Sequence, residues 1–141
     1  MIWIVDASVA VRWFLKDESH PNADAVLQRF IEGPESFAVP ELFCFEVYAV
    51  LFRVHPSAQD VFIKGMIPLL NSGIFRQPMT ESLAVHAARF VKKGLTGYDA
   101  TYAALAAEMK GKWLTFDQKA HECLLKERIS HNLTKRLPKK W

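Results

Sequence analysis

Four short, largely apolar runs punctuate this chain: "IWIV" at 2–5, "FAV" at 37–39, "IFRQ" at 74–77 and "KWLTF" at 112–116. Each is too short for a stable helix and is bounded by a breaker or an acid, which predicts strands, a buried one at 2–5. The segments between them carry helical signals. A short helix spans 7–15, Pro21 opens a second that ends near 32, and a third runs from 41 to about 54, before His55-Pro56-Ser57. The stretch 58–73 closes at Gly73 and Thr80 caps 81–93. Thr96-Gly97 leads into a helix stopped at Gly111, and the last helix covers 118–128. Strands alternating with helices predict an α/β fold, a short parallel sheet covered by helices on both faces. The functional crevice of such a sheet lies outside the carboxyl ends of its strands. Asp6 and Asp117 stand directly after the first and last runs, at that rim.

The helix "ELFCFEVYAVLF" carries Glu46 at its centre. Leu42, Phe43, Ala49 and Val50 share its face, three or four residues away, and none is a cation. A helix apolar all round is expected to be buried. A buried, unpaired carboxylate is costly, so Glu46 needs a partner from elsewhere in the chain.

With 141 residues, half of them apolar, and no internal repeat, residues 1–141 are expected to form one domain with its own core. The run 1–5 is cut off by Asp6 and lacks a basic leader, and no stretch nears the roughly 20 apolar residues of a membrane span. A soluble, cytoplasmic protein is expected. Cys44 and Cys123 read as reduced core thiols, and neither they nor the five histidines have zinc-ligand spacing. The net charge of +3 is local, because Lys135, Arg136, Lys139 and Lys140 crowd the acid-free stretch 131–141. That tail is expected to be a frayed, solvated terminus more than a phosphate-binding one.

Four acids stand out: Asp6, Glu46, Asp99 at a helix start, and Asp117. Asp6, Asp99 and Asp117 each admit a plainer role as a helix-start residue, and Glu46 one as the partner of a distant Arg or Lys. Taken together they converge on one sheet edge. Two ionised acids brought to about 4 Å repel by about 4 kcal/mol at an effective dielectric near 20, so the set calls for a cation. Oxygen ligands without His or Cys select Mg²⁺ or Mn²⁺, and such sites activate water and clamp phosphate oxygens.

"IVDASVAVRWFL", "PELFCFEVYAVL", "TGYDATYAALA" and "WLTFDQKA" resemble, in order and spacing, the four acidic motifs of PIN-domain ribonucleases. The resemblance runs from Met1 to about Glu127 and is most similar to the toxin subunit of a VapBC-type toxin–antitoxin pair. It implies a three-layer α/β/α sandwich and Mg²⁺- or Mn²⁺-dependent endoribonuclease activity on RNA. It also implies homodimerisation and a small antitoxin laid across the active-site groove. By the same resemblance Asp6, Glu46, Asp99 and Asp117 are the metal-binding catalytic acids, while Ser8 and Thr115 are supporting hydroxyls.

Two features depart from that pattern. The C-terminal "ISHNLTKRLPKKW" offers only a weak fifth strand, and Asp117 is followed by Gln118 and Lys119 instead of a second acid, which favours one ion over two. An acyl-phosphate phosphatase would need a second acid where Ser8 stands, and a receiver domain would need adjacent acids at that point. Two alternatives to the toxin remain: an RNA-processing nuclease outside any toxin–antitoxin pair, and a metal-bound interaction module without catalysis. Arg12, Trp13, Arg53 and the basic tail are candidate RNA contacts.

Overall fold

Five strands, β1 (Trp3–Val5), β2 (Phe37–Pro40), β3 (Phe75–Gln77), β4 (Lys112–Thr115) and β5 (Ser130–Asn132), form one sheet in the computed structural model, which describes residues 1–141. Their order is β3-β2-β1-β4-β5 and every neighbouring pair is parallel. The chain builds outward from β1 through β2 to β3, then returns to the other side of β1 with β4. The strand order therefore reverses between β1 and β4, where open α/β sheets place their ligand crevice. The register Val5↔Leu114 sets Asp6 beside Thr115 at that point, and the Asp6 N–H donates to the Leu114 carbonyl at 3.2 Å.

The expected α/β sandwich is observed, with helices flanking the sheet and the four expected strands in place. The weakly signalled fifth strand is real: Ser130, His131 and Asn132 pair with Trp113, Leu114 and Thr115. It is a short, polar edge strand, so it carries little of the apolar pattern by which strands are read.

The helices α1 (Ala7–Ala10), α2 (Pro21–Glu32) and α3 (Glu41–Val54) follow β1 and β2. The single helices expected at 7–15 and 58–73 are broken. The first passes into a 3₁₀ turn over Val11–Trp13. The second becomes α4 (Ala58–Val61), a π-helical turn over Phe62–Met66 and α5 (Ile67–Leu70). Pro68 has no N–H to continue the ladder. Gly65 also packs so closely on Phe14 that a Cβ would lie 2.7 Å from its ring.

After α6 (Glu81–Val91), α7 (Gly97–Glu108) runs across β1, β2 and β4 with every residue from Ala100 to Ala106 buried. Its alanines let the helix lie close on the sheet. The last helix, α8 (Gln118–Cys123), is shorter than the expected 118–128, and Arg128 turns the chain toward β5 with φ 57°.

Two expectations change in the tertiary structure. α3 is not buried all round: Phe45 is 69 % exposed, and Tyr48 and Phe52 stack at 4.3 Å on the open surface. Phe43, Cys44, Val47 and Leu51 are buried in the core, with Leu42 packed at its edge. The basic terminus is docked, with Leu133 fully buried. The Trp141 ring lies 5.2 Å from Trp3 and under the Arg29 guanidinium. Both cysteines are free thiols, Cys44 buried and Cys123 half-buried. No helix is long and apolar enough to cross a membrane.

Candidate functional site

Asp6 leaves β1 at the start of α1 without capping it. Its carboxylate turns inward, and Ser8 and Thr115 both donate to Oδ2, at 3.0 and 2.6 Å. The same hydroxyls accept backbone N–H groups, Ser8 from Phe116 at 3.2 Å and Thr115 from Asp117 at 3.0 Å. Each hydroxyl thus ties the end of β1 to the end of β4. Burial pushes the Asp6 carboxyl up to about 7. The two hydroxyl bonds oppose that rise, while Asp99 and Glu46 add to it as like charges.

Glu46 sits half-buried in α3, and the partner it needs is the hydroxyl of Tyr102, which donates to Oε1 at 2.7 Å. Burial raises the Glu46 carboxyl, the tyrosine bond lowers it and Asp99 raises it again, with no cation among these influences. The reading of Glu46 as one half of a buried ion pair therefore fails. Tyr102 escaped the sequence reading. Its signal was a phenol among the alanines of a helix, since a buried tyrosine hydroxyl requires a hydrogen-bond partner. Burial, followed by Asp6 and Glu46, lifts that phenol well above its usual range, so it stays a neutral donor.

Asp99 does not cap α7, because Thr96 does: its hydroxyl accepts the Asp99 N–H at 3.1 Å. The Asp99 carboxylate is left half-buried and is raised by burial first and by Asp117 second. Asp117 keeps the plainer role, capping α8 by accepting the Ala120 N–H at 3.0 Å, and it is exposed. The chain of mutual influence runs from Glu46 through Asp6 and Asp99 to Asp117. All six residues singled out from the sequence thus stand around the carboxyl ends of β1 and β4. As the side chains stand, no three acids are close enough together to hold one ion. Their chemistry nevertheless fits a hard divalent cation: every donor is an oxygen, and the like charges lack a neutralising Arg or Lys.

Among the candidate RNA contacts, Trp13 is committed to structure, donating from Nε1 to the Ala23 carbonyl at 2.9 Å and packing on Phe30. The Arg12 guanidinium lies 4.2 Å over the Phe116 ring and binds the Glu18 carbonyl, beside the Asp117 turn. Arg53 is exposed, two turns beyond Glu46, and with Lys16, Val50 and His55 it lines an open cleft of about 550 Å³.

The fold has known counterparts. The fold matches FitAcB from Neisseria gonorrhoeae at 14% identity and a TM-score of 0.73, covering 93% of this chain and 97% of that one. It also matches FitAB bound to an IR36 DNA fragment, with 14% identity, a TM-score of 0.72 and coverage of 93% and 94%. PAE2754 from Pyrobaculum aerophilum matches at 22% identity and a TM-score of 0.65, with coverage of 94% and 90%. Among curated proteins, none matches this chain in sequence. The PIN domain family model matches residues 3–123. The chain therefore belongs to the PIN domain family, whose members are typically metal-dependent nucleases.

Proposed function

We propose that the protein is a Mg²⁺- or Mn²⁺-dependent endoribonuclease and the toxin of a toxin–antitoxin pair. The observation that carries this reading is the coupled set of acids at the reversal of strand order, raised by burial and by one another with no basic residue to balance them. Asp6, Glu46, Asp99 and Asp117 would hold the ion, with Ser8 and Thr115 supporting Asp6. A divalent ion in such a site supplies positive charge against a phosphate and acidity to water.

The chain's own residues do the rest. Ser8 and Thr115 saturate Asp6 Oδ2, which leaves Oδ1 as the oxygen open to a ligand. Arg12, over the Phe116 ring, and Arg53, exposed in the open cleft, are the cations assigned here to the phosphates of a single strand. The exposed aromatic stripe Phe45, Tyr48 and Phe52 lies on the helix that carries Glu46. It suits the apolar face of an amphipathic antitoxin segment whose Arg or Lys reaches the carboxylates. A homodimer and a larger toxin–antitoxin assembly belong to the same reading, and the fold match to FitAB bound to DNA supports an assembled form that also engages DNA.

The purified protein should cleave single-stranded RNA with Mg²⁺ or Mn²⁺ and stop in EDTA. Asp6→Asn or Asp99→Asn should cost on the order of 3 kcal/mol of transition-state stabilisation, about a hundredfold in rate. Undiminished cleavage in EDTA by a variant with all four acids neutralised would refute it. Growth arrest relieved by a neighbouring small open reading frame would support the toxin role. Cleavage without arrest would instead favour an RNA-processing nuclease. Metal binding without cleavage would favour an interaction module, the reading to which the separation of the acids lends itself.

A further inference from the structure

Tyr102 is fully buried in the middle of α7, among alanines. Its ring stacks on the indole of Trp113 with centroids 5.7 Å apart and planes 5° from parallel. Trp113 is itself held in the sheet, paired with Ile4 on one side and Ser130 on the other. The phenol is therefore fixed to the sheet, and its hydroxyl oxygen has one place to be. From there it donates to Glu46 Oε1 at 2.7 Å and meets the backbone of Ala7, the residue after Asp6.

Glu46 has no comparable restraint of its own. Its side chain has three rotatable bonds and sits on a helix whose neighbouring positions Phe45 and Ala49 are exposed. The Tyr102 hydrogen bond is the side-chain contact that holds its carboxylate in place. We infer that Tyr102 is a positioning residue for the reaction proposed above: its hydroxyl holds the Glu46 carboxylate at the Asp6–Asp99 edge. Groups of this kind orient a ligating carboxylate, and their loss weakens metal affinity without touching the metal.

The inference rests on the nuclease reading for its catalytic consequence, but not for the position of Glu46. Tyr102→Phe keeps the ring and its stacking while removing the donor. A crystal structure of this variant should show the Glu46 carboxylate displaced toward solvent. Calorimetric titration with Mn²⁺ should show affinity lower by about tenfold, and kcat on RNA should fall by a similar factor with KM for RNA unchanged. In a Glu46→Ala background, which has no side-chain acceptor for the hydroxyl, Tyr102→Phe should have no further effect on Mn²⁺ affinity, since it acts through Glu46. A merely structural tyrosine would weaken both backgrounds alike. A Glu46 carboxylate that stays in place, or equal losses in the two backgrounds, overturns the inference. If the wild type neither binds Mn²⁺ nor cleaves RNA, the nuclease reading fails, and the crystallographic position of Glu46 alone decides the role of Tyr102.

Discussion

Thr115 and Asp6 stand 109 residues apart in the chain, yet the threonine hydroxyl donates to Asp6 Oδ2 at 2.6 Å. The same oxygen of Thr115 accepts the Asp117 N–H. One fully buried hydroxyl thus fixes the geometry of two acids that follow different strands. Thr115→Val keeps the shape and removes both bonds. It should destabilise the protein by about 2 kcal/mol, the scale of a hydrogen bond to a charged group. The loss should be larger at pH 8, where Asp6 is ionised, than at pH 5. Urea unfolding in EDTA at the two pH values measures both effects, and equal losses would mean that the bond does not serve the charge.

Asp6 also sets a pH dependence for the metal-free protein. Its carboxyl is raised from 3.8 to about 7 on folding, so the folded state binds its proton more tightly than the unfolded chain. The resulting stabilisation is complete below pH 3.8 and is lost as pH rises to about 7. Glu46 and Asp99, also raised, act with the same sign. The unfolding midpoint in EDTA should fall between pH 5 and pH 8, and Asp6→Asn should flatten most of the slope. A midpoint that climbs across that range would contradict the buried, uncompensated carboxylate.

Glu46→Gln separates a ligand from a structural glutamate. Gln retains an oxygen to accept the Tyr102 hydroxyl while removing a charge that Asp6 and Asp99 repel. In EDTA the variant should match the wild type or exceed it by about 1 kcal/mol. Mg²⁺ should raise the wild-type midpoint and the variant's much less. Thermal unfolding of both proteins, with and without Mg²⁺, is the measurement. A loss of several kcal/mol in EDTA would return Glu46 to a structural role.

The aromatic stripe on α3 supplies a partner-binding test. Phe45 is 69 % exposed, so Phe45→Asp should change stability by less than about 0.5 kcal/mol. It should leave RNA cleavage intact and weaken co-purification with the antitoxin. Retained antitoxin binding would place the docking surface elsewhere.

The docked terminus predicts a stability cost for its removal. Trp141 packs on Trp3 with ring centroids 5.2 Å apart. Trp141→Ala should lower stability by about 1 kcal/mol or more, the value of an aromatic pair plus its burial. Calorimetric unfolding would register this, and an unchanged midpoint would mean that the tail is only loosely held.

Asp6 and Asp117 were legible because they end β1 and β4, and the position of a residue at a strand terminus is a local property of the chain. The alternation of short apolar runs with helices specified the parallel sheet, whose central strands β1 and β2 are wholly buried while the edge strand β3 is not. Glu46 was legible as an anomaly, a charge among apolar residues. Its partner was not, because Tyr102 reaches it only when α3 and α7 meet at the sheet edge. The roles of the helix-start acids could not be separated in sequence either. Thr96 takes the cap of α7 and frees Asp99, whereas Asp117 caps α8 itself. The split of 58–73 comes with a close contact between Gly65 and the distant Phe14. The docking of Trp141 depended on an indole in β1, and β5 on pairing with an existing edge. The chain by itself determined which residues had to be buried and which charges had to be compensated. Only the tertiary structure decided by what, because hydrogen bonds and packing between distant segments carry no periodic signature along the sequence.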